Sequence, residues 1–210
     1  MFTGIITAVG SIVALEELGS TVQFGKRLTI HCPAGFLEDV GLGDSIALNG
    51  ACMTVTTLDL VANTFTVDVS AESISKTAGL DAVGTINLEK AMRADDRLGG
   101  HLVSGHVDGI GQVSYFAPLG ESWELRVVAP GDMAKYLAYK GSITINGVSL
   151  TVNRVLDTAQ GCEVSINLIP HTVENTALSR LALGSRVNLE IDLIARYVER
   201  MLSATTLATA

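Results

Sequence analysis

Apolar residues recur along this chain mostly at every second position. KRLTIHCP at 26–33, TFTVDVSA at 64–71, SWELRVVAP at 122–130 and GCEVSINLIP at 161–170 alternate or nearly alternate, the pattern of short strands that bury one face. Gly, Pro and Asn bound these runs. Asn49-Gly50 and Asn146-Gly147 predict tight turns, because both residue types tolerate positive φ. SISKTAGL at 73–80 and TVENTALS at 172–179 read as short helical turns. Beyond Asp192 the period changes: DLIARYVERMLSATTLA places Leu193, Tyr197, Met201 and Leu202 on one helical stripe, with Arg196, Glu199 and Arg200 elsewhere. A helix of this length is marginal in water by itself, so the tail needs a surface, either on a second copy of the chain or on its own strands.

The strand pattern is written twice. GDSIALNGACMTVT at 43–56 matches GSITINGVSLTVN at 141–153, setting Ser45, Asn49, Gly50 and Thr54 on Ser142, Asn146, Gly147 and Thr151 at an offset of 97. Downstream, Thr77 falls on Thr176 at offset 99, and Asn87-Leu88-Glu89 on Asn188-Leu189-Glu190 at offset 101. TGIITAVGSI near the start lies over SGHVDGIGQV, bringing Gly4 to Gly105 and Gly10 to Gly111. Four blocks in the same order imply a duplicated domain, with units at 1–97 and 98–190 and a tail at 191–210. The period is too long for a solenoid repeat. About six strands in under 100 residues predict a closed small barrel in each unit, which removes exposed strand edges.

Composition narrows the function classes. With 14 basic and 22 acidic residues the formal charge is −8, and aromatic residues make up 5%. Nucleic-acid grooves combine cationic charge with aromatic stacking, so a nucleic-acid partner is not expected. The 48% hydrophobic fraction is that of a packed globular chain. No apolar run is long enough for a membrane span, and the start has no basic leader. Cys32, Cys52 and Cys162 are too few and too scattered for a disulfide framework or a metal cluster, which suits a reducing compartment and a cytoplasmic location.

Candidate chemistry concentrates in a few segments. GGHLVSGHVDG carries His101 and His106 at the junction of the two units. Their five-residue spacing is not that of a HExxH zinc site; structural roles and acid–base work both fit the pattern. Ser149 in NGVSLTV stands at the repeat position of Cys52 in NGACMTV. Neither lies in a GxSxG elbow, and each reads equally as a packing or turn residue. Thr54 and Thr151 suit strands on propensity alone. Asp68, Glu72 and Ser45 have counterparts Asn167, His171 and Ser142, polar positions open to solvation or to a hydroxylated ligand. Lys140 precedes a turn, where a surface charge is ordinary. Asp192 opens the tail and could cap its helix.

Taken together, MFTGII, GDSIALNGACMTVT, FTVDVSAES, GGHLVSGHVDG, KGSITINGVSLTVN, LIPHT and NLEID resemble riboflavin synthases of the alpha-chain type, over about residues 1–192. The resemblance implies an all-β fold of two tandem homologous six-stranded Greek-key barrels plus a C-terminal helix, assembled as a homotrimer with intersubunit active sites. It implies a transferase that dismutates two molecules of 6,7-dimethyl-8-ribityllumazine per active site, without a cofactor or metal. One molecule passes a four-carbon unit to the other, giving riboflavin and 5-amino-6-ribitylamino-uracil. Lumazine synthase is a further partner on this likeness. The alternative is a non-catalytic lumazine- or flavin-binding protein of the same fold.

The same resemblance distributes roles. His101 becomes an acid–base group, and Ser149 and Cys52 face the ring-binding sites. The nucleophile is then open between water, a ribityl hydroxyl, Ser149 and Cys52. Lys140 would stabilise negative charge on the pyrimidine part, and Asp192 would polarise Ser149 or a histidine. Thr54 and Thr151 would meet pteridine edges, and Asp68 and Asn167 the ribityl chain. Phe2, Gly4, Ile5, Ser45, Ser70, Glu72, Ser73, Gly100, His106, Ile169, His171 and Thr172 complete the substrate-binding set. Where the family often has a second Cys before Cys52, this chain has Ala51.

Overall fold

The computed structural model describes residues 1–21, 23–159 and 161–208. In the first repeat the alternating runs become β1 (Ala8–Glu17), β2 (Lys26–His31), β3 (Ser45–Leu48), β4 (Ala51–Asp59), β5 (Thr64–Val69) and β6 (Gly84–Lys90). They pair antiparallel in the order β1-β2-β5-β4-β3-β6, and β6 returns to β1 to close the barrel. The inward positions, among them Leu28, Ile30, Phe65, Val67, Ile86 and Leu88, are almost fully buried. At about 1.5–3 kcal/mol for each large apolar side chain removed from water, this interior holds the strand register: a slip by one residue would turn every inward side chain out.

The second repeat forms β7 (Gly109–Leu119), β8 (Ser122–Ala129), β9 (Ser142–Ile145), β10 (Val148–Thr151), β11 (Arg154–Thr158), β12 (Gly161–Leu168) and β13 (Arg186–Ile191) around its own core. Its order is β10-β9-β13-β7-β8-β12-β11. Two barrel-like sheets are present, but only the first closes as expected: in the second the counterpart of β4 is split in two, and the halves β10 and β11 stand at opposite ends of a seven-stranded open sheet among the described residues. The chain bends at Val152 and Asn153, whose N–H groups donate to the carbonyls of Gly141 (3.0 Å) and Ser165 (2.8 Å). In β4 the same bend is only a register shift between Val55 and Thr57, and Val55 donates to Asp44 (2.9 Å).

The repeats meet across a pseudo-two-fold. The Asn49-Gly50 and Asn146-Gly147 turns stand back to back with positive φ at all four residues, so close that a Cβ on Gly50 would lie 2.7 Å from the amide nitrogen of Gly147. Asn87 Nδ2 donates to the Asn146 carbonyl (2.9 Å), and Asn188 Nδ2 to the Asn49 carbonyl (3.0 Å). Phe2, fully buried, pairs with Val103 through both backbone groups (2.8 and 3.1 Å).

The tail forms α3 (Leu193–Ala208), after the short helices α1 (Ala71–Lys76) and α2 (Pro170–Glu174). Asp192 Oδ1 caps it by accepting the Ile194 N–H at 2.9 Å. Arg196 grips Asp108 bidentately (2.7 and 2.8 Å), and Lys135 reaches Glu199 at 2.6 Å. The helix therefore docks on its own second barrel while Ile194, Tyr197 and Met201 stay exposed. Among the described residues no helix is long and apolar enough to cross a membrane.

Candidate functional site

Each repeat sends its leading segment across to the other. Residues 3–5 run over β10, where the Ser149 N–H donates to the Gly4 carbonyl at 2.7 Å; residues 104–106 run over β4, where the Cys52 N–H donates to the Gly105 carbonyl at 2.8 Å. Gly4 and Gly105 both have positive φ, and a Cβ there would fall 2.6 Å from Ser149 Cβ and 2.7 Å from Cys52 Cβ. Only glycine permits that approach. Each segment is fastened by a buried carboxylate. Glu89 accepts from Thr3 N, Thr3 Oγ1 and Gly4 N (2.7, 2.8 and 3.0 Å); Glu190 accepts from Ser104 N, Ser104 Oγ, Gly105 N and His106 N (2.7, 2.6, 3.0 and 3.0 Å). Burial pushes both carboxyls above the usual range, against the pull of these donors.

Two clusters result. On the second barrel, His101 Nδ1 lies 2.7 Å from Ser149 Oγ, beside Gly100 and Gly4. Burial lowers the His101 pKa and so favours the neutral imidazole, and the charge of Asp192 partly opposes the shift. Its Nε2 is buried with no partner among the described residues. A neutral imidazole bonded to a hydroxyl can take a proton from it and return the proton later. On the first barrel, Cys52, Glu72, Ser73, Thr77, Gly105 and His106 line a cavity of about 220 Å³. Ser70 caps α1 above it, accepting the Ser73 N–H at 3.0 Å; Ile169, its repeat partner, precedes α2 without a side-chain cap. Thr77 and Thr176 tie these helices down equivalently, each donating at 2.7 Å to Ser73 and Thr172.

Other candidate residues stand apart from these clusters. Asp68 is held bidentately by its cross-strand neighbour Arg27 (2.7 and 2.9 Å), which keeps its carboxyl below the ordinary range. Asn167 Oδ1 accepts from Ser122 Oγ at 2.8 Å. Lys140 sits at a positive-φ turn with Nζ 5.3 Å from the Tyr139 ring. Thr54 and Thr151 are exposed, opposite Ser45 and Ser142. His171 contacts Asn175, and Ile5 is exposed. Ser45 lines a larger cleft of about 550 Å³ with Asp39, Asp44, Lys90 and Arg93, where Lys90 and Arg93 are spent on Asp39. Phe2 lies beneath Cys52 and Gly105. Sequence reasoning passed over Glu89, Glu190 and Ser104, although NLE in both repeats and the Thr3–Ser104 match were in view.

Two barrel-like sheets with crossed leading segments and a polar cluster under each segment, one of them beside a cavity, are the architecture of a duplicated ligand-binding protein. Residues 3–91 and 104–192 each match the lumazine binding domain family, and the chain belongs to that family. It is 44% identical to the riboflavin synthase of Photobacterium phosphoreum over 96% of this chain and 89% of that one. It is 43% identical to that of Bacillus subtilis (strain 168), over 96% and 90%. A crystal structure of LumP complexed with riboflavin superposes with a TM-score of 0.79 at 25% identity, covering 91% of this chain and 99% of that one.

Proposed function

We propose that this chain is a riboflavin synthase: it dismutates two 6,7-dimethyl-8-ribityllumazine molecules into riboflavin and 5-amino-6-ribitylamino-uracil, the last step of riboflavin formation. The observation that carries the reading is a pair of pseudo-equivalent polar clusters with unequal chemistry, Cys52 with His106 beside a cavity in one and Ser149 hydrogen-bonded to His101 in the other, each of them the mouth of a ligand site in this reading. Dismutation needs two copies of one molecule in different roles, one giving and one receiving four carbons. Two related but unequal sites suit that need, and fixing both rings removes the entropic cost of a bimolecular encounter. The relatives of the same name, above 40% identity over nearly the whole chain, support it.

In this reading His101, neutral through burial, accepts a proton during activation of the C7 methyl and returns it when the joined rings separate. Ser149 orients the imidazole, and Asp192 steadies the imidazolium. The reaction balances between its two substrates without a cofactor. Units 1–97 and 98–190 are the two lumazine-binding domains. The tail at 191–210, of which residues 209 and 210 lie outside the described ones, assembles a homotrimer in which the first barrel of one subunit faces the second barrel of its neighbour; the exposed Ile194 and Tyr197 on a helix already fastened to its own barrel support this. Lys140, Asp68 and Asn167 complete the ligand contacts in this assembly. Three free cysteines fit a cytoplasmic location, and lumazine synthase is the further partner that the resemblance implies.

The test is to incubate purified protein with 6,7-dimethyl-8-ribityllumazine alone and separate the products by chromatography. Equimolar riboflavin and 5-amino-6-ribitylamino-uracil, with two substrates consumed, is the expected result. The fold shared with riboflavin-bound LumP favours a second reading, a non-catalytic lumazine or flavin binder. Tight binding without turnover by an assembled trimer would establish that one instead.

A further inference from the structure

We propose that Glu89 and Glu190 are positioning residues, each fastening its own repeat's leading segment so that this segment completes the ligand mouth of the opposite repeat. The proposal builds on the two-mouth reading above, extending it to residues that touch no ligand.

The two carboxylates occupy equivalent places at the ends of β6 and β13 and are 4% and 2% exposed. Neither forms an ion pair among the described residues. Their compensation comes from successive backbone N–H groups and one hydroxyl, the arrangement by which a concave stretch of main chain holds an anion. Here the anion belongs to the protein, and the main chain is the segment being positioned. Glu190 binds Ser104, Gly105 and His106. Gly105 then receives the Cys52 N–H, and His106 forms part of the wall of the Cys52 cavity. Glu89 binds Thr3 and Gly4, and Gly4 receives the Ser149 N–H next to His101. The first-barrel mouth therefore depends on a glutamate of the second repeat, and the second-barrel mouth on a glutamate of the first.

Glu190→Gln tests this without changing side-chain shape. One oxygen becomes an NH2 that faces N–H donors, so the segment loses acceptors it cannot replace. Cys52 is the reporter, since Gly105 lies directly on it; Cys32 and Cys162, both 0% exposed, report on the integrity of each barrel. In the full chain, labelling by a small disulfide reagent should speed up about tenfold at Cys52 in Glu190→Gln, the scale expected for freeing buried hydrogen-bonded groups. Cys32 and Cys162 should stay protected. Riboflavin, titrated by its fluorescence, should bind correspondingly more weakly. Glu89→Gln should leave Cys52 labelling at the parent rate and lower kcat through Ser149 and His101. Ser104→Ala, which removes the 2.6 Å bond and keeps the carboxylate, should change Cys52 in the same direction by less, and decides the matter if Glu190→Gln does not fold. Unchanged Cys52 labelling, equal effects of the two glutamate variants, or parallel exposure of all three cysteines would overturn the proposal. Labelling requires no turnover, so a chain that binds riboflavin without dismutating would refute the enzyme reading and leave the crossed fastening intact.

Discussion

Replacing Asn188 by Ala should cost the two-barrel body far more than a single side-chain truncation ordinarily does. Asn188 is 1% exposed. Its Nδ2 donates to the carbonyls of Asn49 (3.0 Å) and Ala78 (3.2 Å), and its Oδ1 accepts the Ala78 N–H at 2.6 Å, so all three bonds cross from the second repeat to the first. Truncation leaves the Ala78 N–H and two carbonyls without these partners in a junction where the back-to-back glycine turns leave little room to close up. At about 1–3 kcal/mol for each buried group left unpaired, with the N–H the most costly, the expected loss is about 3 kcal/mol or more. For a chain of this size that lowers Tm by roughly 6–12 °C. Urea unfolding should be followed by far-UV circular dichroism for both barrels and by fluorescence of Trp123, the single tryptophan, for the second, at one fixed protein concentration. Asn87→Ala is the internal control. It removes the mirror-image bonds to Asn146 (2.9 Å) and Ala177 (2.7 Å), one fewer in number, and should cost a similar or slightly smaller amount. A loss below about 0.5 kcal/mol for Asn188→Ala, the usual range of surface changes, would refute the argument. So would a large effect from one asparagine beside none from the other.

Three further outcomes are expected. Ser149→Ala removes the hydroxyl 2.7 Å from His101; kcat should fall by about 10²–10⁴-fold, the usual weight of positioned acid–base catalysis, while riboflavin binding at the Cys52 cavity, titrated by fluorescence, stays near the parent value. Because burial lowers the His101 pKa, the folded chain binds fewer protons there than the unfolded chain, so this contribution to stability is present above about pH 6.5 and is lost as pH falls through the folded value. The acid limb of kcat should likewise lie below about 6.5 and move lower still in Asp192→Asn, which removes the opposing charge; an acid limb that moves up would contradict the assignment. Ending the chain after Asp192 should abolish assembly by sedimentation and with it dismutation, whereas a fully active monomer would defeat the shared-site arrangement.

Much of the fold was legible in the sequence because it rests on local rules. The period of two in TFTVDVSA and GCEVSINLIP follows from strand geometry and one-sided burial, and both segments are strands, β5 and β12. Asn-Gly marks turns because few other residues accept positive φ, and both turns are found. The change of period after Asp192 marks the helix α3. The split of β10 from β11 was not legible, since Val152-Asn153 carries no glycine or proline; only the hydrogen bonds to Gly141 and Ser165 define the bend.

The candidate site divides along the same line. The identities of its chemical groups, His101, Ser149 and Cys52, stood out through repetition and through their place in unusual segments. Their pairing did not. Ser149 meets His101 across 48 residues, and Glu190 meets Ser104 across 86. Asp68 is engaged by Arg27, 41 residues away. Periodicity, turn chemistry and duplication are encoded within a few residues of one another, so the sequence by itself determined the strands, the two repeats and the stock of reactive side chains. Which leading segment lies over which barrel is decided by long-range closure, when buried carboxylates must find donors that water no longer supplies. Only the tertiary structure settles that crossing, and with it the construction of each mouth from both halves of the chain.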